Sequence, residues 1–487
     1  VKNKKFLIPL ALIIFYFLLT LFKLTALPVF ADEAIYIRWG QIIIDDWQRY
    51  LFYPMNDGKT PLLMWLIVPF QFLFQNQLLA ARIISVIAGA ISMIFLGLIS
   101  FELFEKKKTA YLTMFLYAIL PFTFFYNRLA ITDALMLANL TVAYYFSVKL
   151  VKSNKNIYIL ALTLSFFLAL FSKTPALLFI PIFYFSILLE DHWKIKKLFS
   201  NFIKISIALG LAAGLLYSFR FITPLFPQLF AVGGNFLYPF KTLLTAEIFQ
   251  IAWKNSKFFS QQFLKYLSIV LIIFALPFYK KTRKKQLILF LSTLVFVSPL
   301  ILLGKIVYPR YLLPASIFFI LSAGFSLSQK KHKLINLIAI LYIISFSFKF
   351  IHPSYFSVNQ IPFSQADRVQ FLEEWSSGHG IEEAVKYIKE ISQEQTVAVA
   401  TEGSFGTLPD GILLYFHGED VSNIYIEGVG QPIRDIPDSF MAKAKDFDRK
   451  LLIVNSHRML MPLPKENLLM EYPRPNNAPN LQIWELK

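Results

Sequence analysis

The chain of 487 residues contains no cysteine, which excludes disulfides and thiolate metal sites and leaves the redox compartment open. Charge is also scarce. Only 16% of residues are Asp, Glu, Lys or Arg, against about 25% in a soluble domain. Histidine occurs six times. No Ser/His/Asp series is visible, and His379, His417 and His457 are scattered, so neither a hydrolase triad nor a histidine metal centre is expected. Internal repeats and low-complexity segments are absent as well.

What is abundant is apolar and aromatic. Hydrophobic residues make up 56% of the chain, and Phe alone occurs 52 times. The chain therefore reads as an α-helical polytopic membrane protein. Apolar runs recur at about 6–27, 80–103, 109–126, 132–151, 157–172, 175–189, 199–222, 263–279, 286–303, 311–327 and 333–351. That predicts about eleven transmembrane helices. The first run follows Lys2, Lys4 and Lys5 and precedes Val29-Phe30-Ala31, a signal-peptide pattern. The apolar core of a signal is about 7–15 residues. This run is longer, so an uncleaved span is expected, with Lys23 snorkelling near its outer end.

The net charge of +18 does not imply a nucleic-acid partner, because the cations are sorted. Basic breaks occur at Lys2–Lys5, Lys106–Lys108, Lys152 with Lys155, Lys194–Lys197, Lys280–Lys285 and Lys330–Lys333. They alternate with breaks poor in Lys and Arg. The positive-inside rule puts the basic breaks in the cytoplasm. The expected location is thus the plasma (cytoplasmic) membrane, with the N-terminus cytoplasmic and the C-terminal region extracytoplasmic. Residues 1–351 form the expected membrane domain, with a first outer loop at about 28–79 and a long outer loop at about 223–262. Within the first loop, residues 34–50 suit a helix in the headgroup plane, and 61–75 an interfacial or re-entrant helix. Residues 352–487 are richer in charge and turns. Ile381, Ala384, Val385, Ile388 and Ile391 repeat at helical spacing. Thr396–Ala400 and Leu451–Val454 read as buried strands. A small α/β domain outside the membrane is expected there.

The unusual polar residues gather on the outer side. Asp32 and Glu33 follow the first span directly, where carboxylates are costly unless compensated. Lys59 lies in Asp57-Gly58-Lys59-Thr60-Pro61. Arg128 and Asp133 border the second outer turn and are spaced to shape it as an ion pair. Lys173 lies in Ser172-Lys173-Thr174-Pro175, and Arg310-Tyr311 ends a later outer turn. A carboxylate pair among cations suits attack by a hydroxyl on a group whose leaving portion is a phosphate. The carboxylate takes the proton, and Lys and Arg hold the departing charge. Capping a helix is the structural alternative for Asp32 and Glu33, and snorkelling for Lys173.

In this order, Asp32-Glu33, Lys59-Thr60-Pro61, Arg128 to Asp133, Ser172-Lys173-Thr174-Pro175 and Arg310-Tyr311-Leu312-Leu313-Pro314 resemble the GT-C superfamily of polyprenyl-phosphate-dependent glycosyltransferases. The bacterial branch related to protein O-mannosyltransferases and to the lipid A aminoarabinose transferase is the nearest. The resemblance covers roughly residues 1–350. It implies inverting transfer of a sugar from a polyprenyl-phosphate donor to an acceptor hydroxyl on a protein, lipid or glycan. It also implies Asp32 as base, Glu33 as its companion, and Lys59, Arg310 and Lys173 as phosphate contacts, with Arg128, Asp133 and Tyr311 in support. Thr60 stands where the branch commonly has Pro, and Thr174 where Gly is common. Residues 352–487 do not resemble the sugar-binding repeats of eukaryotic relatives, which weighs against a protein acceptor. No cofactor is required, since the nearby cations make metal-free phosphate stabilisation sufficient; a divalent cation held by the carboxylate pair is the alternative. A transporter or flippase of a lipid-linked saccharide is the competing function. It would place polar groups near mid-span, often within an inverted repeat. A reporter fused after Lys487 is expected to register outside the cytoplasm; a cytoplasmic signal would overturn the sidedness.

Overall fold

The computed structural model describes residues 4–189, 194–419 and 421–486. The chain divides into two compact units, one of residues 1–22, 51–63 and 82–355, the other of 23–50, 64–81 and 356–487.

The first unit is helical. Six helices have the length and composition to cross a membrane: Gln77–Phe104 (which starts in the second unit), Thr132–Ser153, Ile195–Phe221, Arg283–Leu303, Pro309–Leu327 and Lys333–Phe356. A seventh is reached if Glu247–Leu267 and Ile269–Ala275, bent by 101°, count as one span. Leu7–Leu21, Ile157–Ser172 and Thr174–Leu188 are shorter apolar helices. The expected eleven full-length spans are therefore not reached among the described residues. Local chemistry explains the difference. The run at 109–126 is split into Lys107–Ile119 and Pro121–Tyr126, because Pro121 has no N–H to continue the ladder. The run at 263–279 breaks at Ser268, whose φ is +67° and whose hydroxyl caps the next helix by accepting the Leu271 N–H. The run at 175–189 begins as a 3₁₀ turn, Thr174–Phe179, with Pro175 in its first turn.

The long loop expected at 223–262 is largely structured. The Tyr238 N–H donates to the Leu303 carbonyl at 2.8 Å, and the Lys305 N–H to the Phe236 carbonyl at 3.0 Å. The loop is thereby stitched to the segment that leads to Arg310.

The second unit carries a five-stranded sheet in the order β2-β1-β3-β5-β4. Its strands are β1 (Val397–Thr401), β2 (Ile424–Gly428), β3 (Arg449–Asn455), β4 (Leu468–Tyr472) and β5 (Leu481–Glu485). β1 is parallel to both β2 and β3, whereas β5 is antiparallel to β3 and β4. Every residue of β1 is buried, as the continuous apolar run requires of a central strand. The helix Ile381–Ile391 buries Ile381, Ala384, Val385 and Ile388, the face its spacing predicted.

Two segments of the first loop belong to this second unit. Residues 34–50 were expected as a helix in the headgroup plane; the main helix observed there is Ala31–Asp45. It is instead mostly buried, including Glu33, Tyr36, Trp39 and Gln41. Its polar side chains are absorbed by partners from the same unit. The Gln41 Nε2 donates to the Leu414 carbonyl at 3.0 Å, and His417 Nε2 lies 2.9 Å from Asp45 Oδ1. The Gln71 Nε2, at the end of the helix Leu62–Gln71, donates to the Ile37 carbonyl at 3.2 Å.

The start of that helix is pinned by a short bridge between Phe30 and Ser377. The Ala31 N–H donates to the Ser376 carbonyl at 3.0 Å, and the Phe30 and Phe371 rings lie 4.7 Å apart. A Cβ at Gly378 would fall 2.2 Å from the Val29 carbonyl oxygen, so only glycine permits this approach.

Candidate functional site

Phe30 is extended, with φ −89° and ψ 151°, and the helix turns in after it. A helix start leaves unsatisfied N–H groups and a partial positive charge. Asp32 and Glu33, both in the first turn, complement it. The Glu33 carboxylate reaches back and accepts the Phe30 N–H at 3.0 Å, the acidic half of a capping box. Glu33 is fully buried, whereas Asp32 is half-buried. The two carboxylates thus differ in their settings. Glu33 fixes the turn, and Asp32 keeps contact with solvent.

The first unit holds the cations. Asp133 stands in the first turn of Thr132–Ser153 and is 2% exposed. Lys173 is extended, between the helix ending at Ser172 and the turn beginning at Thr174. Its ammonium lies 2.8 Å from both Asp133 oxygens and 5.1 Å above the Tyr311 ring. Arg310, in the turn Pro309–Leu312, is buried and stacks over Tyr308 at 4.7 Å. Tyr308 and Tyr311 meet edge to face at 5.7 Å.

Lys59 follows the turn Tyr53–Asp57. Gly58 there has φ +67°, and a Cβ on it would sit 2.8 Å from the Val232 Cβ. The Lys59 ammonium lies 3.8 Å from Asp57 Oδ2 and 5.8 Å above the Phe236 ring. Burial pushes the Lys173 pKa below the ordinary lysine value. Asp133 opposes that shift, while Arg310 and Lys59 add to it. Arg310 and Lys59, from distant parts of the chain, are therefore near enough to Lys173 to repel it. Asp133 and Asp57 offset part of that positive charge, and a cluster of cations favours an anion.

Arg128 is placed differently. Its NH1 donates to the Thr20 and Phe22 carbonyls at 2.6 and 2.9 Å. Its guanidinium stacks on Phe124 and Tyr355 at 5.0 and 5.1 Å. It caps the carbonyl end of the helix Lys4–Leu21. Asp133 has Lys173 for its ion partner, so the outer turn does not rest on the pairing of Arg128 with Asp133 that their spacing suggested. Sequence reasoning did not single out Tyr308 or Phe236. Their one signal was an aromatic residue beside each cation segment. Among the described residues, no group of three or more His, Asp or Glu is arranged to hold a metal.

Compared with known proteins, residues 58–219 match the dolichyl-phosphate-mannose-protein mannosyltransferase family. The backbone superposes on the crystal structure of ArnT from Cupriavidus metallidurans bound to undecaprenyl phosphate, with a TM-score of 0.62 and 12% identity. The match covers 100% of this chain and 98% of that one. The apo form of the same protein gives a TM-score of 0.58 and 14% identity, over 98% and 97% of the two chains. This chain resembles a GT-C glycosyltransferase. It is an integral membrane protein of that fold, with a small sheet domain near its C-terminus. Compared by sequence with curated proteins, it matches none. The family match within the GT-C fold includes Lys59, Arg128, Asp133 and Lys173, while Asp32 and Arg310 lie outside it.

The pair at Asp133 yields a stability prediction. Lys173→Met leaves a buried carboxylate without its ammonium, a loss of about 3–5 kcal/mol. Thermal melting of the purified protein should show a clear fall for that variant and partial recovery in Lys173→Met/Asp133→Leu. An unchanged melting temperature in the single variant would show that the pair does not hold the turn.

Proposed function

We propose that the chain is an inverting membrane glycosyltransferase that moves a sugar from a polyprenyl-phosphate donor to an acceptor hydroxyl on the outer side of the membrane. The observation that carries this reading is the approach of Arg310 and Lys59 to Lys173, with aromatic rings of Tyr308, Tyr311 and Phe236 beside the three cations. Such a group suits a phosphate joined to an apolar tail. The similar ArnT structure holds undecaprenyl phosphate, which supports the same donor class here.

In the reaction, the Asp32 carboxylate removes the acceptor's hydroxyl proton. The oxygen attacks the anomeric carbon as the carbon–oxygen bond to phosphate breaks. The released polyprenyl phosphate takes the bonding pair, and Lys59, Lys173 and Arg310 stabilise its charge. One displacement inverts the anomeric centre. Glu33 holds the turn that presents Asp32, and Arg128 and Asp133 hold the outer turn and Lys173.

Transport of a lipid-linked sugar is disfavoured by where the charges sit. Asp133 lies in a helix's first turn, Lys173 between two helices, and Arg310 in the turn that opens Pro309–Leu327. A transporter's polar groups belong at mid-span. The basic breaks support an outer-side location for these helix ends, by the positive-inside rule.

Asp32→Asn is expected to cut transfer by about 10²–10⁴-fold, the usual worth of a general base, with donor binding retained. Turnover with polyprenyl-phosphate sugars, read by product mass, checks it. Wild-type turnover in that variant would remove Asp32 from the chemistry.

A further inference from the structure

The sheet domain has an unassigned feature at the carboxyl ends of its parallel strands. β1 lies between β2 and β3 and is parallel to both. The chain goes from β1 to β2 on one side and later returns as β3 on the other. Such a reversal opens a crevice at the strand ends, where α/β sheets bind ligands. Glu402 follows β1 here and is 2% exposed. Its carboxylate accepts the Asn455 N–H at 2.8 Å, the Asn455 Nδ2 at 2.6 Å and the Arg458 NH1 at 3.2 Å. Arg458 is thereby held over Trp375, 4.5 Å from the ring centre. Its NH1 also donates to Gln431. Among the described residues the hydrogen bonds of Arg458 all leave from NH1, so Nε and NH2 have donors to spare. Trp375 is 38% exposed and Phe405 is 59% exposed.

We propose that the Trp375–Arg458 stack is the platform of a saccharide subsite that receives a neutral sugar ring of the acceptor. Three observations select this ligand. An aromatic surface beside planar polar groups offers a sugar both an apolar face and in-plane hydrogen bonds. Two guanidiniums face two carboxylates at the crevice: Arg458 lies 3.2 Å from Glu402, and the buried Arg474 interacts with both Glu402 and Glu374. That balance suits a polyhydroxylated neutral ring and gives no excess of cations for an anionic group. Trp375 also precedes Ser376, whose carbonyl accepts the Ala31 N–H. The platform is thus built on the segment that pins the Asp32 helix. The acceptor role rests on the proposed transferase reading; the binding of a saccharide does not.

The test uses full-length protein in lipid nanodiscs on an array of neutral hexose oligosaccharides and matching hexose phosphates, with no donor present. The wild type should bind neutral oligosaccharides. Trp375→Ala should weaken that binding about tenfold or more, the effect of losing roughly 1.4 kcal/mol, with an unchanged melting temperature; Arg458→Ala should weaken it as much and also lower the melting temperature, because the buried Glu402 loses its guanidinium. Trp375→Phe should retain most of the binding, because a ring remains. Absence of neutral saccharide binding in the wild type, undiminished binding in both alanine variants, or preference for the phosphates would each overturn the subsite. Binding through Trp375 by a chain that transfers nothing would keep the subsite and sink the transferase reading.

Discussion

The Asp133–Lys173 ion pair is the constraint on which the cationic group depends. A carboxylate at 2% exposure in so apolar a chain survives only because an ammonium sits 2.8 Å from both its oxygens. That pairing fixes Lys173 at the break between two helices and sets it over Tyr311. Arg310, on the same short turn as Tyr311, is then held near it by its own stack on Tyr308. Lys59 arrives from another loop, which Gly58 shapes and Phe236 covers. Cations that repel Lys173 are kept near it by a buried carboxylate and aromatic faces. The same principle governs the other acidic site. Glu33 spends its charge on a helix start, while Asp32 beside it is half-buried.

Much of this was legible in the sequence because hydropathy and charge are local properties. The apolar runs became helices. The strands at Thr396–Ala400 and Leu451–Val454 appeared within a residue or two as β1 and as part of β3. The run of Ile381, Ala384, Val385 and Ile388 became the buried face of a helix. What was not legible was where a run breaks. Pro121, Pro175 and the positive φ of Ser268 divide segments that hydropathy scores as continuous. β2, β4 and β5 were missed, because Ile424–Gly428, Leu468–Tyr472 and Leu481–Glu485 mix polar residues into short runs, and β2 and β4 are only half-buried.

The site was legible in its residue types and not in its partners. A carboxylate pair after an apolar run and single cations in outer breaks were visible as anomalies. That Asp133 pairs with Lys173, 40 positions away, and not with nearby Arg128, was not visible, because spacing carries no information about tertiary neighbours. Nor was the pinning of the Asp32 turn by Ser376 and Gly378, more than 340 positions downstream. A helix read as interfacial from composition proves to be mostly buried, with Gln41 finding its partner in the sheet domain's own segments.

The central claim is that the cationic group serves chemistry on a lipid-linked sugar. The most direct measurement gives purified protein in nanodiscs a panel of polyprenyl-phosphate sugars with an oligosaccharide acceptor and weighs the products. The account predicts an acceptor heavier by one sugar residue, with an inverted anomeric centre and free polyprenyl phosphate released in equal amount. An unchanged acceptor with every donor, together with movement of the intact lipid-linked sugar between leaflets, would contradict it.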